Sequence, residues 1–396
     1  MKRARPLTDT ARQEVRPWRA TLAGLCATLV GIGLARFAYT PLIPALIEAR
    51  WFSAADVVYL GAANLAGYLA GALLARPMAA RIATPLVLRA MMLLACACAF
   101  ACALPLSVLW FFLWRFASGV SGGVLMVLAA SSVMPLVPAA RQGIAGGVIF
   151  TGVGLGIVLS GTLVPLLLSY GLVETWIGLG ALSLILTLIA WHGWPSGPPR
   201  GAQPTIRPRL RPSLTLKAVY AEYALVAMGL VPHMVFLVDF VVRGLGESLE
   251  RGAGFWVLFG FGAMVGPVLA GHLGDRVGFR VALRLSLVVQ AAAVGAVAFV
   301  GGTGALVVSS LIIGAFVPGI VPLVLGRVRE LAPAEAGAQT TAWSLATAAF
   351  ALGQAGAAYG FSYLFTGTAN YLLLFQLASG SFLLALVIDL LVARDR

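Results

Sequence analysis

The chain has 396 residues, of which 60% are hydrophobic and only 10% are charged, with a net charge of +13. Soluble globular domains carry about 25% charged residues, so this composition excludes an ordinary soluble domain and indicates an integral membrane protein. About a dozen apolar runs have the roughly 20-residue length of a membrane-spanning helix, and the short alternating pattern of β-barrel strands is absent. The predicted spans are 18–42, 54–75, 85–105, 107–131, 143–168, 173–192, 217–241, 253–273, 281–300, 304–326, 338–363 and 369–391.

The basic residues lie mainly on one side of these spans. Three of the 27 Lys and Arg residues, Arg50, Arg243 and Arg251, fall on the opposite side, and two more lie inside spans. The positive-inside rule then predicts that both termini are cytoplasmic, in a bacterial-type inner membrane. Loop position explains the positive charge, so no nucleic-acid partner is expected. A removable signal peptide is not expected either, because no small-residue cleavage site follows the basic N-terminus.

The first span contains an arginine, Arg36, in the middle of an apolar run. An arginine there costs about 2.5–3.5 kcal/mol on insertion scales, so such residues usually face a bundle interior or an aqueous cavity. Tyr39 and Thr40 share its helix face, and Pro41 and Pro44 are expected to break the helix near its outer end. We therefore expect Arg36 and Tyr39 to line a cavity; the alternative is that Arg36 snorkels toward the outer surface.

The second and fourth spans add polar groups. In span two, Asn64 and Tyr68 lie four residues apart and are candidates for the cavity, while Gly67 suits close helix packing. In span four, Arg115 shares a face with Ser118 and two glycines. Arg115 either serves function in the cavity or holds a backbone carbonyl as a structural partner.

A proline-rich basic segment separates spans six and seven, and its proline density forbids a regular helix. The predicted organisation is a tail at 1–17, a six-helix unit at 18–192, a linker at 193–216, a second six-helix unit at 217–391 and a tail at 392–396. Related runs, GALLARPMAARI and GHLGDRVGFRVAL, follow the second span of each unit. A duplicated six-span unit is an architecture of transporters.

Span seven carries two acids, Glu222 and Asp239. Burial and a nearby arginine act in opposite directions on the pKa of a carboxyl group, so such an acid can bind and release a proton. Asp239 lies at nearly the depth of Arg36, which makes a pair plausible, whereas Glu222 is equally well explained as a helix-start charge. His233 and Gln354 would each need a partner if buried. His233 either titrates near neutral pH or packs as a satisfied core residue.

The run after span eight resembles the signature G-x-L-x-D-R-x-G-R-K of the major facilitator superfamily. Phe279 is the one departure within the matched run. Span four loosely resembles the superfamily's R-x-x-x-G pattern through Arg115 and Gly119, and the opening LVGIGLARFAYTPLIPAL resembles the YbfB/YjiJ-like subgroup. The matching residues of the signature are Gly271, Leu273, Asp275, Arg276, Gly278 and Arg280.

This resemblance implies an all-α membrane protein with twelve transmembrane helices in two pseudo-symmetric six-helix bundles. It also implies that the loop with Asp275 is a latch, or gating loop, which stabilises the outward-open state and breaks in the other. Its glycines are expected to allow a tight turn close to a neighbouring helix end. The first-half copy has Ala75 in place of the acid, so only one latch is fully charged.

The sequence therefore predicts a secondary transporter that moves a small organic solute by alternating access, coupled to protons, as a monomer in the bilayer. Two buried arginines favour an anionic solute. Export of hydrophobic or drug-like compounds is the alternative within the class, and a non-transporting receptor on the same fold is the alternative outside it. No catalytic motif appears, so no enzyme activity, cofactor or metal is expected. The four cysteines are expected to be small packing residues.

Overall fold

A computed structural model describes residues 16–138, 142–195, 212–333 and 338–394. Twelve long helices account for nearly all of these residues, as the sequence predicts. They are α1 Pro17–Glu48, α2 Ala54–Arg81, α3 Thr84–Cys102, α4 Val108–Leu136, α5 Gln142–Leu168, α6 Leu172–Ala190, α7 Leu214–Gly244, α8 Leu249–Val277, α9 Phe279–Phe299, α10 Gly302–Leu331, α11 Ala338–Thr368 and α12 Tyr371–Arg394.

Eleven of these helices are long and apolar enough, by length and composition, to cross a membrane, counted over the described ranges. The remaining one, α11, has 31 residues and therefore also has the length of a span. It is rich in Ala, Gly, Ser and Thr, which lower its hydropathy and favour close packing against neighbouring helices. The twelve-helix prediction is confirmed.

Helices α1–α6 form one bundle and α7–α12 the other. We call the membrane face where α6 ends and α7 begins the linker face, and the opposite face the far face. The outer helices α3, α6, α9 and α12 expose large apolar side chains, such as Leu86, Leu188, Val288 and Leu384, as expected of a surface that contacts lipid. Most of the predicted N-terminal tail and linker lies outside the described residues.

The same pair of helices packs through glycines in each bundle. In the first bundle, a Cβ on Gly67 of α2 would overlap the backbone carbonyl of Phe116 in α4. In the second bundle, a Cβ on Gly266 of α8 would overlap the carbonyl of Ala315 in α10. Small residues let backbones approach closely inside a membrane, and the repetition follows the pseudo-symmetry of the bundles. The packing role predicted for Gly67 is confirmed.

The helix α1 does not break at its prolines, as the sequence analysis expected. It continues through Pro41 and Pro44 to Glu48, and the irregularity lies earlier, in a π-helical stretch over Leu29–Phe37. A proline ring clashes with the carbonyl four residues before it, so the distortion caused by Pro41 falls on the preceding turn. The helix α7 has a matching π-helical stretch over Pro232–Phe236. Such stretches occur often at functional sites.

Candidate transport site

The helices α1 and α7 contact each other where their π-helical stretches lie, through Arg36, Thr40 and Met234. The Oγ1 atom of Thr40 in α1 donates a hydrogen bond of 2.6 Å to the Met234 carbonyl in α7. The Arg36 guanidinium lies within 5.2 Å of the centres of the Phe37 and Tyr68 rings, and its Nη2 atom is 3.9 Å from the Met234 sulfur. Arg36 and Tyr68 thus lie beside each other close to the contact between the bundles.

Arg115 holds the π-helical backbone of α1. Its Nη1 atom donates to the Ala35 carbonyl at 2.8 Å, and Ser118 Oγ donates to the same oxygen at 3.1 Å. The guanidinium also lies 4.1 Å from the centre of the Tyr39 ring. The sequence left two interpretations of Arg115 open, a functional role in the cavity or a structural contact with a backbone carbonyl. The structure shows the contact with the carbonyl.

Asn64 and Tyr39 fix the neighbouring helices. Asn64 Nδ2 donates to the Arg115 carbonyl and to Ser118 Oγ, each at 3.3 Å, whereas its Oδ1 atom is buried without a hydrogen-bond partner. The Tyr39 hydroxyl donates to the Val57 carbonyl at 2.7 Å. The Asn64 amide orientation follows from these contacts, because a carbonyl can only accept.

Gln354 reaches the same place from the second bundle. Its Nε2 atom lies 3.6 Å from the Met234 sulfur, so Arg36 and Gln354 converge on one sulfur atom. A cavity lined by Arg36, Asn64 and Arg115, among others, adjoins this point. Its volume is about 20 Å³, which is room for about one water molecule. The central site is closed around its polar groups in this conformation.

The predicted pair between Arg36 and Asp239 is not formed in this conformation. Asp239 is fully buried near the far face, where it pairs with Arg243 at 3.3 Å and accepts a 2.5 Å hydrogen bond from Tyr371. The sequence contained the competing signal, since Asp239 and Arg243 are separated by one helical turn. Similar depth in the membrane was too weak a criterion to identify the partner.

His233 lies inside the second bundle and not beside Arg36. Its Nε2 atom is 2.7 Å from Ser309 Oγ, and its ring packs edge-on against Phe375 with centroids 5.1 Å apart. The side chain is fully buried. These contacts fit a packing role for His233, although its Nδ1 atom has no hydrogen-bond partner among the described residues, so the ring is only partly satisfied.

The bundles contact each other toward the far face. Trp256 Nε1 of α8 donates to Ser160 Oγ of α5 at 2.9 Å, and the Trp256 ring lies 5.8 Å from the Phe37 ring of α1. On the other side of the molecule, the rings of Tyr59 in α2 and Tyr359 in α11 are 6.4 Å apart. Each of these residues lies in the half of its helix nearer the far face. That face is therefore closed over the central site.

A cluster of charges occupies the linker-face end of the second bundle. Asp389 of α12 pairs with Arg284 and, at 3.7 Å, with Arg280, both in the first turns of α9. Arg327 of α10 pairs with Glu330 at 2.8 Å. Arg280 and Arg284 thus have an acidic partner on a neighbouring helix, and Arg327 has one on its own helix.

Glu222 of α7 lies beside this cluster. Only 2% of its surface is exposed, and neither carboxyl oxygen has a hydrogen-bond partner among the described residues. The charges of Arg327, Arg280 and Arg284 act on it, and so does the charge of Asp389. Glu222 is therefore enclosed by protein and not exposed at the start of its helix.

The predicted latch is a junction between α8 and α9 with a single intervening residue. Gly278 occupies it with φ +83°, a conformation that favours glycine. Asp275 and Arg276 are exposed and form no ion pair within the described ranges. A Cβ on Gly271 would meet open space, so the expected close approach is wrong for that glycine.

Phe279 explains why the signature departs from its pattern at that position. Added Cβ atoms on Gly274 of α8 or Gly326 of α10 would both meet the Phe279 ring. The ring therefore fills the space between three helices, where a long basic side chain would lose this packing.

The sequence analysis missed three residues that complete these sites. Met234 gave no signal, because an apolar residue in an apolar helix is ordinary. Tyr371 also gave no signal, because it lies at the start of a span. Asp389 carried a usable signal, since an acid within an apolar run is rare.

The comparisons with known proteins agree with this architecture. A family model described as "Uncharacterised MFS-type transporter YbfB" matches residues 28–390. No curated protein matches the chain. The solved structure titled "Crystal structure of D-xylose-proton symporter" superimposes with a TM-score of 0.70 and 15% sequence identity, over 94% of this chain and 96% of that one. A partially occluded inward-open structure of the xylose transporter XylE from E. coli superimposes with a TM-score of 0.69 and 13% sequence identity, over 94% of this chain and 98% of that one.

At such low identity these structures show the fold alone, and that fold is the one of the major facilitator superfamily. The family model is more specific, because it spans most of the chain. The chain therefore belongs to the YbfB-type family of major facilitator superfamily transporters.

Proposed function

We propose that this chain moves a small organic solute across the membrane by alternating access, and that proton movement drives the transport. The observation that carries the proposal is the closure of the far face over a polar site between the bundles. Trp256 and Ser160 close one interface, and Tyr59 and Tyr359 close the other. A transporter that rocks its bundles around a central site needs such a reversible seal.

The linker face would be the open side, in the cytoplasm. The positive-inside distribution supports that orientation. The latch supports the conformational assignment, because Asp275 is exposed and unpaired in the described parts of the chain, as expected of a latch released in the inward-facing state. Both bundles come from one chain, so a monomer would hold a complete pathway.

Glu222 is the residue that we propose to carry the proton. Glu222 is buried without a hydrogen-bond partner among the described residues, and it lies beside both the arginines and the Asp389 carboxylate of the linker-face cluster, so burial and these charges together act on its protonation. A rearrangement of α7 against α9 and α10 would change the balance between these influences. The neighbour titled a D-xylose–proton symporter is compatible with such coupling on this fold.

Cross-linking across the far face tests alternating access. We expect the pair Tyr59→Cys and Tyr359→Cys to stop transport when joined by a reducible bifunctional thiol reagent and to recover it on reduction. The control pair, Arg251→Cys with Thr303→Cys, lies within the second bundle, where Arg251 Nη2 is 3.0 Å from Thr303 Oγ1, and is joined by the same reagent. It should leave transport intact. The four native cysteines are buried, which limits background reaction. Full transport with the far-face pair cross-linked would contradict the proposal.

Proton coupling is tested in proteoliposomes that contain a pH-sensitive dye. Pools of acidic, neutral and cationic solutes are added to the wild type and to Glu222→Gln. We expect a solute-dependent pH change in the wild type and its loss in the variant, while exchange of labelled solute down its gradient persists. A pH change of wild-type size in Glu222→Gln would rule out Glu222 as the proton carrier. A wild type that transports solute without any pH change would rule out proton coupling.

A further inference from the structure

The central site holds two positive charges and no negative one. Within the described ranges, Arg36 and Arg115 have no acid within ion-pair distance. The two acids that were candidates to neutralise them are placed elsewhere. Asp239 is bound by Arg243 and Tyr371, and Glu222 lies beside the linker-face cluster. An unpaired charge inside a membrane protein is costly, and such residues usually mark a substrate or ion pathway.

The two arginines are held differently. Arg115 is 3% exposed; its Nη1 atom donates to the Ala35 carbonyl and its guanidinium lies against the Tyr39 ring, whereas its Nε atom has no hydrogen-bond partner among the described residues. Arg36 is partly accessible and has one polar contact, the Met234 sulfur at 3.9 Å. A thioether sulfur is a weak acceptor. Arg36 therefore keeps nearly all of its hydrogen-bonding capacity for another group.

The Met234 sulfur lies where donors from both bundles converge. Arg36 belongs to the first bundle, and Gln354, which is 2% exposed, belongs to the second. Two donors that aim at one weak acceptor would gain from a strong acceptor in its place. Methionine is flexible enough to leave this position without a change in the backbone.

We propose that the transported solute is a small organic monocarboxylate, whose carboxylate displaces the Met234 sulfur and binds Arg36 and Gln354 together. The inference rests on the proposed transport function and names its substrate class. A planar carboxylate matches the fork of a guanidinium with two parallel hydrogen bonds. Arg36 is partly accessible whereas Arg115 is buried, so a single carboxylate is placed on Arg36.

Asn64 adds a detail to the solute. Its Oδ1 atom is buried in the wall of the same cavity and accepts no hydrogen bond. A buried acceptor without a partner is costly, and a hydroxyl or amide donor on the solute would satisfy it. A carboxylate that carries a hydroxyl group close by, as in a hydroxy acid, uses all three polar groups.

Binding of this kind also connects the solute to the conformational change. The present cavity, about 20 Å³, holds about one water molecule, so a carboxylate enters only when Met234 withdraws and the bundles adjust. Once bound, the carboxylate links α1 of the first bundle to α11 of the second. A neutral solute would leave both arginine charges uncompensated and would gain less from the same movement.

Thermal stabilisation of the full chain in nanodiscs tests the inference without requiring transport. The probes are lactate, propionate and benzoate, with lactamide, propionamide and benzamide as neutral counterparts and inorganic phosphate as a second anion. We expect at least one carboxylate to raise the melting temperature, with the logarithmic dependence on its concentration that binding to the folded state produces, and its amide to leave the melting temperature unchanged. We expect lactate to bind more tightly than propionate.

Variants locate the binding group. Arg36→Gln should weaken carboxylate binding by about ten- to hundredfold, since it removes a charge-assisted bidentate contact, and Arg36→Lys should weaken it less. Arg251→Gln is the matched control, because it removes an exposed arginine at the far face. Met234→Leu keeps the volume but removes the sulfur, and it should bind carboxylate at least as well as the wild type.

The outcomes separate this inference from the transport function. Equal carboxylate binding by the wild type and Arg36→Gln would overturn the inference, as would stabilisation by amides or phosphate alone, or by none of the probes. If Arg36→Gln fails to fold, the same comparison is made with Gln354→Ala, for which undiminished binding would be equally fatal. Carboxylate binding without transport in proteoliposomes would support the substrate class and refute the proposed function.

Discussion

The central site and the linker-face cluster both bring arginines into the protein interior, but only the cluster supplies acids to match them. Arg280 and Arg284 share Asp389, and Arg327 pairs with Glu330. In the central site, Arg36 contacts aromatic rings and a sulfur atom. Each arginine of the cluster thus has an acidic partner, and among the described residues neither central arginine has one.

This difference indicates what each region is built for. The attraction within an ion pair offsets the cost of desolvating its charges only in the geometry that pairs them, so paired charges favour one packing of the helices. An unpaired charge leaves the same desolvation cost uncompensated until an external group binds it. The cluster is thus suited to fixing the end of a bundle, and the central site is suited to binding a solute.

The largest effect is expected from Arg115→Ala, which removes the main donor to the Ala35 carbonyl. A hydrogen bond to a charged group contributes about 1.5–3 kcal/mol, so the π-helical stretch should lose its fixed geometry and transport should fall about ten- to hundredfold. The measurement is solute-driven pH change in proteoliposomes, with Arg251→Ala as the control. Retention of more than half of wild-type transport would show that the two central arginines do not differ from an exposed arginine.

Arg115 also shows which features of the site could be predicted from the sequence. The cost of an arginine in an apolar run was enough to select both Arg36 and Arg115, and the contact of Arg115 with a backbone carbonyl was one of the two stated possibilities. The glycine packing of α2 and α4 also followed from the sequence. These features depend on local composition and on helix periodicity, which a single sequence displays.

The partners of the charges did not follow from the sequence. Met234 and Arg36 each lie in a π-helical stretch, where a periodicity of 3.6 residues does not predict the direction of a side chain. Asp239 was assigned to Arg36 by depth, although Arg243, one turn away, is its partner. Pairings between helices require the packing of the bundle as a whole.

An intermediate effect is expected from Asp389→Asn, which removes the shared partner of Arg280 and Arg284. Removal of one member of a buried pair costs about 3–5 kcal/mol. The side chains of both arginines are about 30% exposed, so solvent screening should reduce the loss to about 1–2 kcal/mol. Thermal unfolding of the variant and the wild type in nanodiscs measures this loss of stability.

The matched control for Asp389→Asn is Glu247→Gln, which breaks the exposed pair between Arg251 and Glu247. Exposed pairs contribute about 0–1 kcal/mol, so this variant should unfold close to the wild-type temperature. Equal losses of stability in Asp389→Asn and Glu247→Gln would mean that the cluster does not stabilise the packing of the second bundle. The contrast drawn above between compensated and uncompensated charges would then have no energetic basis.

The smallest effect on stability is expected from Asp275→Asn, because Asp275 is exposed and has no ion-pair partner in the described residues. The free energy of unfolding should change by less than about 0.5 kcal/mol, as for most surface substitutions.

Transport by Asp275→Asn should nevertheless slow several-fold, because the variant loses the latch that would stabilise the opposite, outward-open conformation. The far-face pair Tyr59→Cys and Tyr359→Cys should then cross-link more completely in this background. Glu250→Gln, an exposed acid near the far face, is the control. Unchanged cross-linking together with wild-type transport would remove the latch from the mechanism, while leaving the central site and its unpaired arginines untouched.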